Sequence, residues 1–121
     1  MYPVEHVGII VKDAEKSKEF YQKALGCKLK EEIRRENVIL VFLQAGDETI
    51  ELIQHLNRDE ELGRGVVEHI AFRVDDIEEA IEQVKAAGAK MIQEKPIEMK
   101  TMKIIFFNGP DGEKLELVEK L

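Results

Sequence analysis

A repeated eight-residue segment constrains the fold of this chain more than any other feature of its sequence. Residues 4–11 read Val-Glu-His-Val-Gly-Ile-Ile-Val, and residues 67–74 read Val-Glu-His-Ile-Ala-Phe-Arg-Val. The two histidines, His6 and His69, are separated by about half of the 121-residue chain. Internal repetition of this kind indicates that one structural unit occurs twice. The sequence therefore predicts two similar halves, each opening with a strand that carries a histidine.

Each half continues with the same order of predicted elements. Asp13 in the first half, and Asp75 or Asp76 in the second, can cap a helix with an apolar stripe. Gly26 and Gly88 stand where these two helices are expected to end. Three strands follow each helix, so both halves have the pattern βαβββ. In the second half these strands are predicted at residues 90–94, 103–107 and 114–119, with a loop at 96–101.

This pattern predicts an α+β fold. Two βαβββ modules, residues 3–56 and 66–120, are expected to form a single domain spanning residues 1–121, with residues 57–66 as a polar linker. Each module can cover one face of its strands with its own helix. The other face needs a partner, which is either the second module or another chain.

Composition and charge exclude several classes of partner. The net charge is −7, and acidic and basic residues are interspersed along the chain, which argues against binding to nucleic acid or to an anionic membrane. No apolar run is long enough to span a bilayer. The single cysteine, Cys27, excludes an internal disulfide and fits a reducing compartment, so a cytoplasmic protein is expected.

Four polar residues interrupt the apolar strands at matching places in the two halves. His6 and His69 lie on the first predicted strands, whereas Glu51 and Glu116 lie on the last ones, in Ile-Glu-Leu and Leu-Glu-Leu. A carboxylate among apolar residues is costly unless it is paired or binds a cation. These residues could form two His–Glu pairs or face solvent on an open sheet. The repetition favours a mixed nitrogen and oxygen site for Zn, Ni, Co or Mn.

These motifs resemble the vicinal oxygen chelate superfamily, which includes glyoxalase I, methylmalonyl-CoA epimerase, extradiol dioxygenases and the bleomycin or fosfomycin resistance proteins. The resemblance covers the whole chain. It implies paired βαβββ modules that form a cupped mixed sheet around one metal ion, with the helices on the outside. The motifs that carry it are Val-Glu-His6-Val-Gly-Ile, Phe20-Tyr21 with Leu25-Gly26, Ile50-Glu51-Leu52, Glu68-His69-Ile-Ala-Phe-Arg-Val-Asp-Asp and Asp111-Gly112-Glu-Lys-Leu-Glu116-Leu.

The resemblance also implies a site and a reaction. His6, Glu51, His69 and Glu116 match the metal ligands of the superfamily, and Zn or Ni is the expected ion, with Co, Mn or Fe as alternatives. Four ligands are kept in glyoxalase I and in the epimerase, whose shared chemistry is proton abstraction next to a carbonyl. Glu116 is then the expected base and Glu51 the second one. Chains of this length are expected to be homodimers that act on a small molecule.

The substrate and the reaction subtype stay open at this point. In bacterial glyoxalase I an Arg and an Asn that contact glutathione follow the first and second ligands by four residues, and here those positions hold Ile10 and His55. Arg73, on the same strand as His69, and His55 are candidate substrate contacts. The alternatives are a lyase of the glyoxalase I type, an epimerase, a ring-cleaving dioxygenase and a non-catalytic binding or resistance protein.

Overall fold

A computed structural model describes residues 4–59, 61–63, 65 and 67–121. The chain divides into two compact units, Met1–Leu62 and Gly63–Leu121, and each contains one mixed sheet and one helix. The predicted α+β class is thereby confirmed. Neither of the described helices is long and apolar enough to cross a membrane.

The first unit has the predicted order of elements. Its strands are β1 (Val7–Ile10), β2 (Lys28–Arg34), β3 (Val38–Ala45) and β4 (Glu48–His55), and its helix is α1 (Ala14–Leu25). The sheet order is β1-β4-β3-β2, in which β1 runs parallel to β4 and the other pairs are antiparallel. The first and last strands of the unit are therefore hydrogen-bonded neighbours.

Local sequence accounts for the position of α1. The carboxylate of Asp13 accepts a hydrogen bond from the backbone N–H of Lys16, and Gly26 ends the helix with a φ of 69°, as predicted. The buried face of α1 includes Phe20 and Tyr21, which pack on the face of the sheet that carries Leu43 and Leu52. Because side chains alternate along a strand, Phe42 and Glu51 lie on the opposite face of this sheet.

The second unit repeats this arrangement with one addition. Its elements are β5 (Ile70–Arg73), α2 (Ile77–Ala86), β6 (Lys90–Met91), β7 (Ile97–Glu98), β8 (Met102–Asn108) and β9 (Lys114–Lys120). The sheet order is β5-β9-β8-β6, with β5 parallel to β9, and the additional strand, β7, pairs with β8. Helix α2 is capped by Asp76, which accepts hydrogen bonds from the N–H groups of Glu78 and Glu79, and Gly88 follows its end with a φ of 100°.

Three details of the prediction were wrong. Residues 96–101 were expected to be a loop, but Ile97 and Glu98 form β7, opposite Ile104 and Lys103. The strand expected at 90–94 ends at Met91, because the chain bends there. Both histidines lie immediately before their strands and not within them. Residue 3 and, in the predicted linker 57–66, residues 60, 64 and 66 lie outside the described residues.

Candidate functional site

The first unit brings His6 and Glu51 together. Parallel pairing of β1 with β4 places Gly8 opposite Glu51, so that His6 reaches the carboxylate from its position directly before β1. His6 Nε2 lies 3.3 Å from Glu51 Oε1. The Glu51 side chain is 13% exposed and that of His6 is 39% exposed. A Cβ atom at Gly8 would lie 3.3 Å from the same carboxylate oxygen, so the glycine leaves room for Glu51.

The second unit builds the same pair from His69 and Glu116. Ala71 lies opposite Glu116 in the parallel pairing of β5 with β9. His69 Nε2 lies 3.0 Å from Glu116 Oε1, and the two side chains are 34% and 10% exposed. The same nitrogen faces the carboxylate in both units, and in both units the carboxylate is the more buried partner.

A second carboxylate holds the other nitrogen of each imidazole. His6 Nδ1 lies 2.9 Å from Glu5 Oε1, and His69 Nδ1 lies 3.2 Å from Glu68 Oε1. An Nδ1–H that donates to a carboxylate fixes the tautomer and leaves the lone pair on Nε2. The hydrogen bond with Glu5 raises the pKa of His6 above its ordinary value; burial opposes the shift, and the charge of Glu51 adds to it.

Each pair also contacts an aromatic ring at an equivalent position. Phe42 lies opposite Glu51 in the sheet, and its ring meets that of His6 edge-on at a centroid distance of 6.3 Å. Phe106 lies opposite Glu116 and meets His69 in the same way at 5.5 Å. Neither these rings nor the roles of Glu5 and Glu68 were predicted from the sequence. Glu5 and Glu68 each stand directly before a histidine in the repeated Val-Glu-His segment, and this repetition could have indicated their roles.

The geometry of each pair fits half of a metal centre. Metal bonds to nitrogen and oxygen of about 2.0–2.2 Å put neighbouring ligand atoms of one ion roughly 2.8–3.6 Å apart, depending on whether the geometry is octahedral or tetrahedral. The measured distances between Nε2 and Oε1 are 3.3 Å and 3.0 Å. Among the described residues of either unit, no three His, Cys, Asp or Glu side chains could hold an ion by themselves. A complete centre would therefore need two such pairs.

Comparison with known proteins decides the family. The sequence model of the Glyoxalase/Bleomycin resistance protein/Dioxygenase superfamily matches residues 4–117. The chain belongs to this superfamily. A curated relative, the lactoylglutathione lyase of Neisseria meningitidis, is 36% identical over 95% of this chain and 88% of its own length.

Solved structures of superfamily members agree with the fold of this glyoxalase-like chain. A glyoxalase family protein from Enterococcus faecalis is 28% identical and has a TM-score of 0.79, covering 97% of both chains. A mutant of the fosfomycin resistance protein FosX from Listeria monocytogenes, complexed with Mn(II) and a dihydroxypropylphosphonic acid, has a TM-score of 0.83. It is 22% identical and covers 100% of this chain and 94% of its own, and at that identity it supports the fold alone.

The two predicted substrate contacts of this superfamily member lie in different surroundings. Arg73 ends β5 and is exposed; in the sheet it lies opposite Val118, two residues beyond Glu116. His55 ends β4 and lines a cleft of about 680 Å³ together with Lys12, Arg58 and Asp59. The guanidinium Nη2 of Arg58 lies 3.1 Å and 3.2 Å from the two ring nitrogens of His55. The rest of the cleft is lined by Val11, Gln54, Leu56, Asn57 and Leu62.

Cys27 is expected to be inert in the folded protein. It follows Gly26 at the end of α1, its side chain is buried, and burial raises the pKa of its thiol to about 11. Since the thiolate is the reactive form, we expect an aromatic disulfide reagent at pH 8 to label Cys27 in denaturant but not in buffer. Absorbance of the released thiol measures the reaction. Fast labelling in buffer would contradict the buried position.

Proposed function

We propose that this chain is a metal-dependent lyase or isomerase of the glyoxalase I type, in which His6, Glu51, His69 and Glu116 hold one divalent cation. The observation that carries the proposal is that both units present the same pair in the same way. In each pair, imidazole Nε2 faces a carboxylate that is at most 13% exposed, while Nδ1 is held by a second carboxylate. Metal-binding histidines are commonly oriented by such a partner.

The proposed reaction moves a proton between two adjacent carbons. A divalent cation held by His6, Glu51, His69 and Glu116 would supply Lewis acidity to the carbonyl oxygen of the substrate, where negative charge develops. Glu116 takes the proton from the carbon next to the carbonyl, and a carboxylate returns it to the neighbouring carbon. Glu51 is the candidate for that second step, because it holds the same position in the other unit. Substrate and product are isomers, so no oxidant or further reactant is needed.

The name of a relative supports a proposed substrate class at the level of chemistry. Lactoylglutathione, which gives the Neisseria relative its name, is the thioester of a 2-hydroxy acid. Its isomer is the hemithioacetal of a 2-oxoaldehyde, which has the C–H group that the proposed base requires. Ile10 and His55 replace the glutathione-contacting Arg and Asn of bacterial glyoxalase I. We therefore propose a hemithioacetal or a related 2-hydroxycarbonyl compound, with a thiol other than glutathione as the preferred carrier.

The experiment loads the purified protein with Ni²⁺, Zn²⁺, Co²⁺ or Mn²⁺ and measures the isomerisation of 2-oxoaldehyde hemithioacetals. Hemithioacetals of glutathione, cysteine and 2-mercaptoethanol are compared, and thioester formation is followed by absorbance. We expect one ion for every four-ligand centre, and a metal-dependent rate with at least one hemithioacetal. Metal content is measured together with the mass of the assembly in solution, which tests the expected homodimer.

The outcomes separate this proposal from its alternatives. Exchange of a substrate α-proton with solvent deuterium, without net isomerisation, would favour the epimerase. Activity that requires Fe(II) or Mn(II) and consumes O₂ would favour the dioxygenase. A protein that retains no ion after loading and dialysis would contradict the metal-dependent reaction and leave the binding or resistance protein as the better interpretation.

A further inference from the structure

The surroundings of the two His–Glu pairs differ at Lys114, in the second unit. This residue is two positions before Glu116 on β9, so its side chain leaves the sheet on the same face as Glu116. Its Nζ atom lies 2.8 Å from Glu68 Oε1 and 4.3 Å from the centroid of the Phe106 ring. The Lys114 side chain is only 17% exposed, so its charge is close to the pair and partly shielded from water.

Lys114 and His69 share one oxygen atom of Glu68. The same Oε1 lies 2.8 Å from Lys114 Nζ and 3.2 Å from His69 Nδ1. In the first unit, Glu5 Oε1 lies 2.9 Å from His6 Nδ1, and the Glu5 side chain is 87% exposed. A carboxylate that supports a ligand imidazole raises its strength as a ligand. Because a cation partly neutralises Glu68, its support for His69 is weaker than that of Glu5 for His6.

The corresponding position of the first unit has a neutral side chain. Thr49 lies two residues before Glu51 on β4, and its hydroxyl accepts a hydrogen bond from Lys30 Nζ at 3.0 Å. The repeat thus places a threonine in one unit where it places a half-buried lysine in the other. The ammonium of Lys30 is bonded to that threonine, whereas the ammonium of Lys114 is bonded to Glu68. This difference lies in the residues around the ligands, whereas the ligands themselves are identical in the two units.

We infer that Lys114 makes His69 and Glu116 the more weakly binding half of the proposed metal centre. The inference rests on the proposed metal-dependent function. Lys114 acts through Glu68, whose negative charge it partly neutralises at 2.8 Å. It is a positioning residue and not a catalytic one.

The test is the affinity of the intact protein for Zn²⁺, measured by competition with a chromophoric chelator and without any substrate. The Lys114→Met variant keeps the aliphatic stem and removes the charge. We expect it to bind Zn²⁺ more tightly than the wild type, by about three- to tenfold, because changes next to ligands usually alter metal affinity by about that much or more. A loss of structure alone would weaken binding, so the direction of the change is diagnostic.

Two further variants and a control complete the design. Lys114→Arg keeps the positive charge and is expected to bind Zn²⁺ with the wild-type affinity. If Lys114→Met does not fold, Lys114→Gln takes its place: it retains a polar side chain, and the same tighter binding of Zn²⁺ is expected. Lys103→Met is the matched control: Lys103 lies in the same sheet and pairs with Glu98 at 3.8 Å. It should leave the affinity unchanged.

The results distinguish the inference from the proposed function. Unchanged or weaker Zn²⁺ binding by Lys114→Met or Lys114→Gln overturns the role of Lys114 but leaves the metal centre in place. An equal gain in Lys103→Met overturns it too, because the effect would then be one of net charge. A wild-type protein that binds no Zn²⁺ overturns both the inference and the proposed function.

Discussion

Replacement of Glu116 by glutamine is expected to abolish turnover while the protein stays folded. The glutamine amide has nearly the shape of the carboxylate but cannot accept the substrate proton. General-base catalysis contributes about 10²–10⁴-fold to a rate, and we expect a loss of at least that size. Isomerisation by metal-loaded Glu116→Gln, assayed together with its metal content, measures the effect.

The controls separate the loss of a base from general damage. Glu82→Gln makes the same chemical change on the exposed side of α2 and should leave activity and stability unchanged. Glu51→Gln makes the change at the equivalent place of the other unit, and we expect it to weaken activity less than Glu116→Gln does. A Glu116→Gln protein that binds metal and keeps more than about a tenth of the wild-type rate would contradict the assignment of the base.

Removal of the metal ion is expected to lower activity to the background rate and to lower the unfolding temperature. The core of each sheet is apolar: Leu43 and Leu52 in the first unit and Leu115 and Leu117 in the second are fully buried. We therefore expect the far-ultraviolet circular dichroism to persist after chelation. A ligand at 100 times its Kd stabilises the folded state by about 2.7 kcal/mol, which for a protein of this size is a shift of several degrees.

The chain offers a matched control because it has three histidines. His6→Gln and His69→Gln should each reduce the rise in unfolding temperature on addition of Zn²⁺ or Ni²⁺. His55→Gln removes an imidazole of the cleft and should keep that rise. Differential scanning calorimetry with and without metal measures all three variants. A full metal-dependent rise in His6→Gln or His69→Gln would argue against that residue as a ligand.

Much of the fold could be predicted because local chemistry and the repeat pointed to the same elements. Asp13, Gly26 and the apolar stripe between them determine α1 almost without tertiary information. By contrast, β7 depends on the pairing of Ile97 with Ile104, and nothing in its own short sequence after Pro96 indicates a strand. Tertiary pairing decided that element, as it often does for short edge strands.

The four candidate ligands could be predicted from the sequence, but the residues that contact them could not. The repeat identified His6, Glu51, His69 and Glu116, and the structure joins them as two pairs within separate units. Phe42 and Phe106 were missed because an apolar residue in a strand gives no signal that it neighbours a ligand. The contact between Lys114 and Glu68 was missed because it joins residues far apart in sequence, on β9 and just before β5.

The parallel pairing of the first and last strands in each unit has a consequence for folding. His6 meets Glu51 only when β1 and β4 have come together, and all the other elements of the unit lie between them in sequence. Such long-range pairing closes a large loop and is formed slowly compared with a helix or a hairpin. During synthesis, His6 therefore emerges from the ribosome well before its partner. The pair cannot form in a partly made unit, so the contact between His6 Nε2 and Glu51 Oε1 forms only when the unit has finished folding.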